Sequence, residues 1–372
     1  MFNSKLRALR YSLCRWKYYL ALWVIALYCL CIFADGMSYS AFKVGFIYAI
    51  ILSWNAGHSE SNLGGCLDWN CNFSGNKKDL PKADAIITMF MDKKLSAYRR
   101  PDQYIIFFNQ ESPVYGSITI DSKLFFNSTL NFRRDSITSS PYGYTVKLAP
   151  QSKPKQPVVD EKLIQKKSKA IAWFVSHCST SSLRELYINE LQKFIEVDVY
   201  GSCGNLKCAR GGECEEVLDT DYHFYVAFEN SICKDYITEK LWNQGYQRTI
   251  VPLVLKREYV EPFAPPYSFI AVDDFNTVQE LAQYLNYLIG NKTAYMEYFE
   301  WRKEYKVIFL NGAEHDFLER PWGFCQICRL LWQNPLQKHV IKDFNEYWSK
   351  SCETSGSLVQ QLIKQSAINE TS

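Results

Sequence analysis

Residues 228–242 (FENSICKDYITEKLW) concentrate polar side chains directly after the apolar run 225–227. A connection from a strand to a helix needs only one capping group and an apolar stripe. This segment instead carries an amide, a phenol, carboxylates and an ammonium group within a dozen residues. We therefore expect it to bind a polar ligand, through Asn230, Tyr236, Glu239 and Lys240.

The same segment runs from a predicted strand, 222–228, into a predicted helix, 235–247. At the carboxyl ends of parallel strands, helix N termini and free backbone N–H groups favour an anionic ligand. Arg184 lies in another predicted helix, 179–195, that also follows a strand, so it could join Lys240 at this edge. The two cations could hold a diphosphate and stabilise the negative charge that grows on it as it leaves.

The remaining polar groups suit the rest of a nucleotide sugar. Asn230 and Tyr236 can bond phosphate, ribose or sugar hydroxyls, and Glu239 can face a ring carbon that becomes oxocarbenium-like. Glu111 follows the strand-like run 103–108, so its carboxylate could take the proton of an attacking hydroxyl. Each side chain alone would more commonly be a solvated surface group. Their grouping at predicted strand ends favours a site.

An Asp-x-Asp motif at 219–221 raises the alternative of a metal-dependent transferase. It precedes the strand 222–228, whereas ligands gather at the carboxyl ends of strands. The acidic pair 273–274 suits a loop and a helix cap before Thr277, and no glycine-rich phosphate loop of the usual forms is present. We expect no metal and no other cofactor.

The N terminus predicts a membrane anchor. Residues 18–34 carry no charge, and 1–17 contain five Lys or Arg residues and no acidic residue. An uncharged span with a positive cytosolic flank indicates a single-pass type II anchor. A cleaved signal peptide is the alternative, but its apolar core is shorter and ends in small residues. The short span suits a thin membrane of the early secretory route better than the plasma membrane, with everything after a stem at 35–42 in the lumen.

Ten of the thirteen cysteines lie beyond this span, and we expect them to form disulfides in the oxidising lumen. Their pairing stays open, although Cys325 and Cys328 suit a local bridge. A zinc site is the alternative, which the lack of a second tight pair of the zinc-ribbon type disfavours. Four sequons predict N-glycosylation in the same compartment: Asn72, Asn127, Asn291 and Asn369.

At 372 residues the chain is long enough for two domains. Its composition, 47% hydrophobic and 16% aromatic, is that of a folded protein, and a charge of +3 without a basic stripe disfavours nucleic acid as a partner. Apolar runs alternate with helical patterns, which predicts an α/β fold with doubly wound parallel sheets. The predicted strands are 43–54, 83–90, 103–108, 169–175, 197–200, 222–228, 249–255 and 268–272, and a further helix covers 277–289.

We expect a first, acceptor-side lobe at 43–149, followed by a proline-rich linker at 150–168. A second, nucleotide-binding lobe follows at 169–350, and residues 351–372 form a tail.

The stretch FYVAFENSICKDYITEKLW closely resembles the α1,3-fucosyltransferase family of secretory-pathway glycosyltransferases. The resemblance continues through AWFVSHC and VDVYGSCG, and in the first half through ILSWN, ADAI, RRPDQ, ESP, FNSTLNFRRDS and PYG. It spans about residues 50–330, so it rests on a series of motifs.

This resemblance implies two Rossmann-like lobes of the GT-B type facing each other across a cleft. It also implies GDP-fucose as donor substrate, no metal requirement, inversion at the fucose carbon and a Golgi anchor with a lumenal catalytic domain. Matched motif by motif, it assigns the general base to Glu111. It assigns donor binding to Arg184, Asn230, Tyr236, Glu239 and Lys240.

Some positions depart from the family's motifs. His177 stands where relatives often have Asn, Ser128 where they often have Trp, and Ile137 where an Asp often follows the RRDS motif. These departures leave the donor motifs intact and bear on the acceptor. We expect transfer of L-fucose to the 3-OH of GlcNAc in N-glycans of glycoproteins. The core or antennal position of that GlcNAc and the oligomeric state stay open.

Two alternatives belong to other classes of protein. One is a catalytically inactive, membrane-anchored glycan-binding relative. The other is a glycosidase, which needs two carboxylates flanking one bond, with Glu111 and Glu239 as the pair.

Overall fold

The computed structural model describes residues 48–58, 70–91, 93–116, 125–209, 212–310, 323–333 and 339–370. The predicted cytosolic tail, anchor and stem, 1–42, lie outside these residues. Within the described ranges, no helix combines the length and apolar character of a membrane span. Residues 48–372 cluster as one compact unit.

A fully parallel sheet of five strands forms the first half of this unit. Its strands are β1 Ala49–Ser53, β2 Cys71–Ser74, β3 Ala85–Thr88, β4 Tyr104–Phe108 and β5 Ser128–Leu130. They lie in the order β2-β1-β3-β4-β5. Apolar clusters cover both faces, which explains why β3 and β4 are continuous apolar runs in the sequence.

The second half repeats this arrangement. Its strands are β7 Lys169–Phe174, β8 Val197–Tyr200, β9 Tyr222–Val226, β10 Val251–Val254 and β11 Ile270–Ala271. They are parallel, in the order β11-β10-β9-β7-β8. Counted within each half, both sheets have the doubly wound order 2-1-3-4-5, in which a ligand binds where the strand order reverses. In the second sheet this switch point lies between β7 and β9.

An antiparallel ribbon pairs β6 Gly143–Lys147 with β12 Tyr305–Phe309. The ribbon lies close to Trp242, because a Cβ on Gly143 would approach the indole ring to 2.6 Å. Only glycine allows this approach without displacing the ring. The ribbon therefore packs beside the segment that follows β9.

Helices fill the connections between the strands. The α-helices of the described residues are α1 Lys93–Tyr98, α2 Glu161–Lys166, α3 Arg184–Leu191, α4 Val217–Thr220, α5 Arg257–Val260, α6 Val278–Gly290, α7 Lys292–Glu297, α8 Phe324–Leu331, α9 Phe344–Tyr347 and α10 Ser357–Glu370. Short 3₁₀-helices lie at Lys77–Asp79, Pro150–Ser152, Glu213–Glu216, Val272–Asp274, Glu300–Lys303 and Ser349–Ser351. A π-helix covers Lys240–Gly245.

Two predicted helices begin later than expected. α3 begins at Arg184 and not at Ser179, because Leu183 adopts the left-handed conformation with φ 54°. The predicted helix 235–247 shortens to the π-helix Lys240–Gly245, and Asp235 likewise has a positive φ of 63°. In contrast, α6 is offset by one residue from its prediction, and its Thr277 cap is present.

Residues 323–333 and 339–350 differ from the expected second lobe, because they pack against the first sheet. α8 buries Phe324 on one face of that sheet. Phe344 and Trp348 lie on the other face, with ring centroids 4.9 and 5.1 Å from that of Phe107. α10 then returns to pack beside α3 and α6. An apolar stripe can cover either sheet, so its spacing in the sequence does not reveal which one.

The expected disulfides are present. Those between described residues are Cys71–Cys328, Cys178–Cys203, Cys208–Cys214 and Cys233–Cys352. Cys325 is also disulfide-bonded. The predicted local bridge between Cys325 and Cys328 is wrong, because α8 packs on the first sheet and brings Cys328 beside Cys71, with 5.9 Å between the Cα atoms.

Candidate active site

A cavity of about 490 Å³ is lined by residues that follow strands of both sheets. Ser176 follows β7 and Asn230 lies beyond β9, which places the cavity at the switch point of the second sheet. The first sheet contributes the loop after β4. Five of the six predicted ligand and base residues line this cavity: Glu111, Arg184, Asn230, Glu239 and Lys240.

Glu111 lies in a tight turn after β4 and is exposed. Its backbone amide donates to Asn109 Oδ1 at 2.8 Å, and the Ser112 carbonyl accepts from the Tyr115 amide at 3.0 Å. These bonds fix the turn. The Tyr236 hydroxyl then donates to Glu111 Oε2 at 3.2 Å from the second half of the chain.

Tyr236 is the sixth predicted residue, and it lies behind Glu111 and not in the cavity wall. Its ring is buried beside Phe132, with centroids 4.8 Å apart. Burial, reinforced by the charge of Glu229, raises the pKa of Tyr236 well above its ordinary value. The phenol therefore stays a hydrogen-bond donor to Glu111 at physiological pH. Its contact with a donor substrate stays a prediction.

Lys240 is held by three oxygens. Its Nζ lies 2.8 Å from Thr238 Oγ1, 3.1 Å from Glu229 Oε2 and 3.4 Å from Glu239 Oε1. Burial disfavours the charge, but the attraction of Glu229 and Glu239 outweighs it and raises the pKa of Lys240. Lys240 therefore presents a full positive charge in the cavity wall at neutral pH.

Glu229 was not among the predicted site residues, yet it organises this loop. Its half-buried carboxylate accepts from the Thr238 amide at 2.7 Å and from the Thr238 hydroxyl at 2.9 Å, and it pairs with Lys240. Burial raises the pKa of Glu229, although the charge of Lys240 opposes this. The sequence signal was an acidic residue directly after a buried strand, where only a bonded carboxylate is tolerated.

Arg184 is buried at the first turn of α3. Its Nη1 donates to the Phe228 carbonyl at 2.6 Å, and its Nη2 donates to the His177 carbonyl at 3.3 Å. Burial lowers the pKa of Arg184 below its ordinary value, and the charge of Glu229 opposes this. Within the described residues, Nε has no hydrogen-bond partner. Bonds to carbonyls in the loops after β7 and β9 fix the guanidinium at the cavity.

Asn230 and Glu239 lie at the two ends of the loop that the bonds from Thr238 to Glu229 hold together. The Asn230 carbonyl accepts from the Ser182 amide at 2.9 Å, and Asn230 Oδ1 accepts from the Ser231 hydroxyl at 3.0 Å. Glu239 is the residue before the π-helix and contacts Lys240. Both side chains line the cavity.

One wall of the cavity is formed by residues that were not predicted from the sequence. Phe174 and Tyr200 end the neighbouring strands β7 and β8, and their ring centroids are 4.8 Å apart. Tyr225 of β9 and the buried Gln244 of the π-helix complete this wall. Gln244 Oε1 has no hydrogen-bond partner in the described part of the chain. An aromatic wall beside an unpaired acceptor suits a flat group that carries an N–H.

The Asp-x-Asp motif is engaged with other side chains. Asp219 Oδ2 accepts from Arg248 Nη1 at 3.0 Å, and Asp219 Oδ1 accepts from the Thr249 amide at 2.5 Å. In the later acidic pair, Asp274 forms an ion pair with Arg257 at 2.6 Å. Across the ranges that the structure describes, no group of His, Cys, Asp or Glu residues could hold a metal ion.

The predicted glycosylation site at Asn127 does not fit the structure. The side chain is buried, its Oδ1 accepts from the Ile105 amide at 2.7 Å, and its Nδ2 donates to the His339 carbonyl at 2.6 Å. A glycan on Nδ2 would displace the chain at His339. A sequon in the sequence does not report this burial.

The other sequons differ from one another. Asn72 is exposed in β2. Asn291 caps α7, because its Oδ1 accepts from the Ala294 amide at 3.1 Å. Asn369 lies in α10, and its side chain is outside the described part of the structure. Their glycosylation stays a prediction.

Two family models match the two halves of the chain. Residues 48–143 match "Fucosyltransferase, N-terminal", and residues 164–348 match "Glycosyltransferase family 10 (fucosyltransferase) C-term". The first range contains β1 to β5 and the second contains β7 to β11.

Curated relatives and a solved structure agree with these matches. The chain is 56% identical over 314 residues to α-(1,3)-fucosyltransferase fut-1 of Caenorhabditis elegans, which covers 84% of this chain and 72% of the relative. It is 36% identical over 314 residues to α-(1,3)-fucosyltransferase C of Drosophila melanogaster, with 77% and 71% covered. A crystal structure of an α1,3-fucosyltransferase with GDP-fucose shares the fold, with a TM-score of 0.51 at 18% identity over 79% of this chain and 92% of that chain. The chain therefore belongs to the α1,3-fucosyltransferase family, glycosyltransferase family 10, and is a glycosyltransferase enzyme.

Proposed function

We propose that this enzyme transfers L-fucose from GDP-fucose to the 3-OH of a GlcNAc residue in N-glycans, with inversion at the fucose carbon. One observation carries the proposal: Glu111 from the first half of the chain and the cations Arg184 and Lys240 from the second line one cavity. The names of the relatives support the 1,3 linkage. The solved neighbour with GDP-fucose supports the donor.

The reaction is a single displacement. The acceptor oxygen attacks the anomeric carbon of fucose while the bond from that carbon to the β-phosphate oxygen breaks. Glu111 takes the proton of the acceptor hydroxyl, and GDP leaves with the electron pair of the broken bond. Attack on the face opposite the leaving group inverts the carbon. Tyr236 donates to Glu111 Oε2 and so holds the carboxylate in place.

The charge on the leaving GDP is stabilised by the second half of the chain. Arg184 and Lys240 are fixed before substrate arrives by the carbonyls and carboxylates around them, so little reorganisation accompanies bond breaking. In this proposal they perform the task that a bound cation performs in metal-dependent transferases. We therefore propose that the reaction requires no metal.

In this proposal the nucleotide base binds the aromatic wall of Phe174 and Tyr200. Guanine presents a flat ring and N–H donors, which match the aromatic rings of Phe174 and Tyr200 and the unpaired Oε1 of Gln244. In this proposal the base lies against this wall in the second half of the chain, and the fucose end points towards Glu111.

We also propose the compartment. The predicted anchor at 18–34 would hold the catalytic part in the Golgi lumen, where the enzyme would meet N-glycans on glycoproteins. Disulfides such as Cys178–Cys203 support an oxidising compartment.

A product analysis tests the function. The detergent-solubilised full-length enzyme is incubated with GDP-fucose and two defined N-glycans, one offering core GlcNAc and one offering antennal lactosamine. We expect α-fucose on O3 of GlcNAc and GDP release that depends on acceptor, with an unchanged rate in the presence of EDTA. Fucose on another hydroxyl, or glycan binding without GDP release, would contradict the proposal. The latter result would support a glycan-binding relative.

A further inference from the structure

Tyr115 makes a contact across the cavity. Its hydroxyl accepts a hydrogen bond from the Ser181 backbone amide at 2.8 Å, and its ring lies edge-on to His177 with the centroids 5.0 Å apart. Tyr115 belongs to the loop after β4, whereas Ser181 belongs to the loop between β7 and α3. This contact therefore joins the two halves of the chain at the cavity, which Tyr115 also lines.

On the first side, a short and stiff connection joins Tyr115 to Glu111. The amides of Tyr115 and Gly116 donate to the Ser112 carbonyl at 3.0 and 2.8 Å. Asn109 Oδ1 accepts from the Glu111 amide. Gly116 packs closely on Asn109, because an added Cβ would lie 2.0 Å from Asn109 Nδ2. A displacement of Tyr115 therefore moves the backbone that carries Glu111.

On the second side, Ser181 is a fixed point three residues before Arg184. Its carbonyl accepts from the Gly356 amide at 2.8 Å, which ties the loop to the start of α10. The next amide, of Ser182, donates to the Asn230 carbonyl at 2.9 Å. The loop that receives Tyr115 is thus bonded to the residues that line the second side of the cavity.

We propose that Tyr115 is a positioning residue, which sets the placement of Glu111 relative to Arg184 by docking the Glu111 turn on the Ser181 amide. The inference rests on the proposed function, because it takes Glu111 as the base. Among the described residues, Tyr236 of the second half also bonds this turn, and it reaches the Glu111 carboxylate and not its backbone. Tyr115 and Tyr236 therefore have separate tasks, one on the backbone and one on the carboxylate.

Because Tyr115 is partly exposed, its effect on the position of Glu111 can be tested apart from any effect on folding. The residue is 39% exposed and is not part of the buried core. Loss of its hydroxyl should leave the fold almost as stable as before, because a single exposed hydrogen bond contributes little to stability. A substitution that removes only this oxygen therefore tests geometry at the site.

Tyr115→Phe keeps the ring against His177 and removes the acceptor oxygen. We expect kcat for fucose transfer to fall about three- to tenfold, the size of one hydrogen bond. KM for GDP-fucose should stay within about twofold, because the cations that hold the diphosphate lie on the other side of the cavity. The matched control is Tyr98→Phe, in an exposed residue of α1, which should leave kcat, KM and thermal midpoint unchanged.

Hydrogen exchange gives a second readout that does not depend on turnover. In Tyr115→Phe, exchange of the Ser181 amide should speed up about tenfold, since its acceptor is gone. Unchanged exchange, an unchanged kcat, or a raised KM for GDP-fucose with constant kcat would overturn the proposal. If the wild-type enzyme transferred no fucose, the proposed function would fail separately, and the exchange rate would still decide whether Tyr115 docks on Ser181.

Discussion

The chemistry of this site depends on which charged residues line the cavity. Glu229 bonds Thr238 and Lys240 outside the cavity wall, whereas Lys240 and Arg184 line the cavity. Two positive groups are thereby presented to a ligand, beside the carboxylates of Glu111 and Glu239. The sequence shows these residue types but does not show which of them line the cavity.

Replacement of Lys240 tests how much the ion pair between Glu229 and Lys240 contributes to stability. Lys240→Met leaves the Glu229 carboxylate buried without its cation, so we expect the free energy of unfolding to fall by about 3–5 kcal/mol. The double variant Glu229→Gln with Lys240→Met should recover most of this stability and still bind GDP weakly. Urea unfolding and calorimetric titration with GDP measure the two quantities. A Lys240→Met chain as stable as the wild type would contradict this account.

Lys167 predicts a pH dependence of stability. It is buried, it donates to the Leu218 and Tyr222 carbonyls, and burial lowers its pKa from 10.5 to about 7. Between these two values the unfolded chain binds more protons than the folded one, so stability should rise with pH from about 7 to 10.5. We expect the wild type to gain stability over this range relative to Lys167→Met in urea unfolding. A constant or falling difference would contradict the prediction.

Asn127 should carry no glycan. Both atoms of its amide group bond backbone groups in the interior, whereas Asn72 is exposed. Peptide mapping of enzyme produced in a secretory pathway should therefore find unmodified Asn127. A glycopeptide that contains Asn127 would show that this strand edge is arranged differently.

The residues of the site could be predicted only as far as their types and strand positions reveal them. Glu111, Arg184 and Lys240 were found because polar side chains at strand ends are conspicuous, and the structure brings them to one cavity. Gln244 and Phe174 were missed, because an amide in a helix and an aromatic residue in an apolar run look like ordinary core. Only the cavity distinguishes them.

At the scale of elements, the loop after β9 is tied to the C-terminal segment. The Cys233–Cys352 disulfide is flanked by two backbone bonds, from the Lys234 amide to the Ser351 carbonyl at 2.9 Å and from the Glu353 amide to the carbonyl of Ile232 at 2.8 Å. This pairing holds the loop between Asn230 and Lys240, which carries most of the donor-side residues.

Replacement of both cysteines of this disulfide by serine should affect stability and donor binding together. We expect a loss of about 2–4 kcal/mol in the free energy of unfolding, because the closed loop is long. KM for GDP-fucose should rise, because the loop with Tyr236 and Lys240 gains freedom. Urea unfolding and initial rates measure the two effects. A variant with unchanged KM would show that the hydrogen bonds beside Cys233 suffice to hold the loop.

Elements of the second half were more readable than those of the first. β7 and β9 are long apolar runs separated by helical patterns, and β8 has the predicted bounds. β5 and β6 are short and partly polar, so nothing in their spacing indicates a strand. The π-helix was predicted as a longer α-helix, because propensity does not report the positive φ of Asp235.

At the scale of the whole molecule, two sheets with one strand order contribute their carboxyl ends to a shared cavity. Repetition of strand and helix in each half predicted this architecture. The return of 323–333 and 339–350 to the first sheet was not predictable, because it depends on which sheet face remains uncovered. The Cys71–Cys328 bridge, which spans 257 residues, depends on the same return.

The most direct test concerns Glu111, since the account assigns it the proton that the acceptor loses. In Glu111→Gln the amide keeps the size of the side chain but cannot take this proton. We predict that transfer from GDP-fucose falls about 10²- to 10⁴-fold while calorimetric affinity for GDP stays within about twofold, and that Glu300→Gln, an exposed control, changes neither. Full transfer by Glu111→Gln would contradict the central claim.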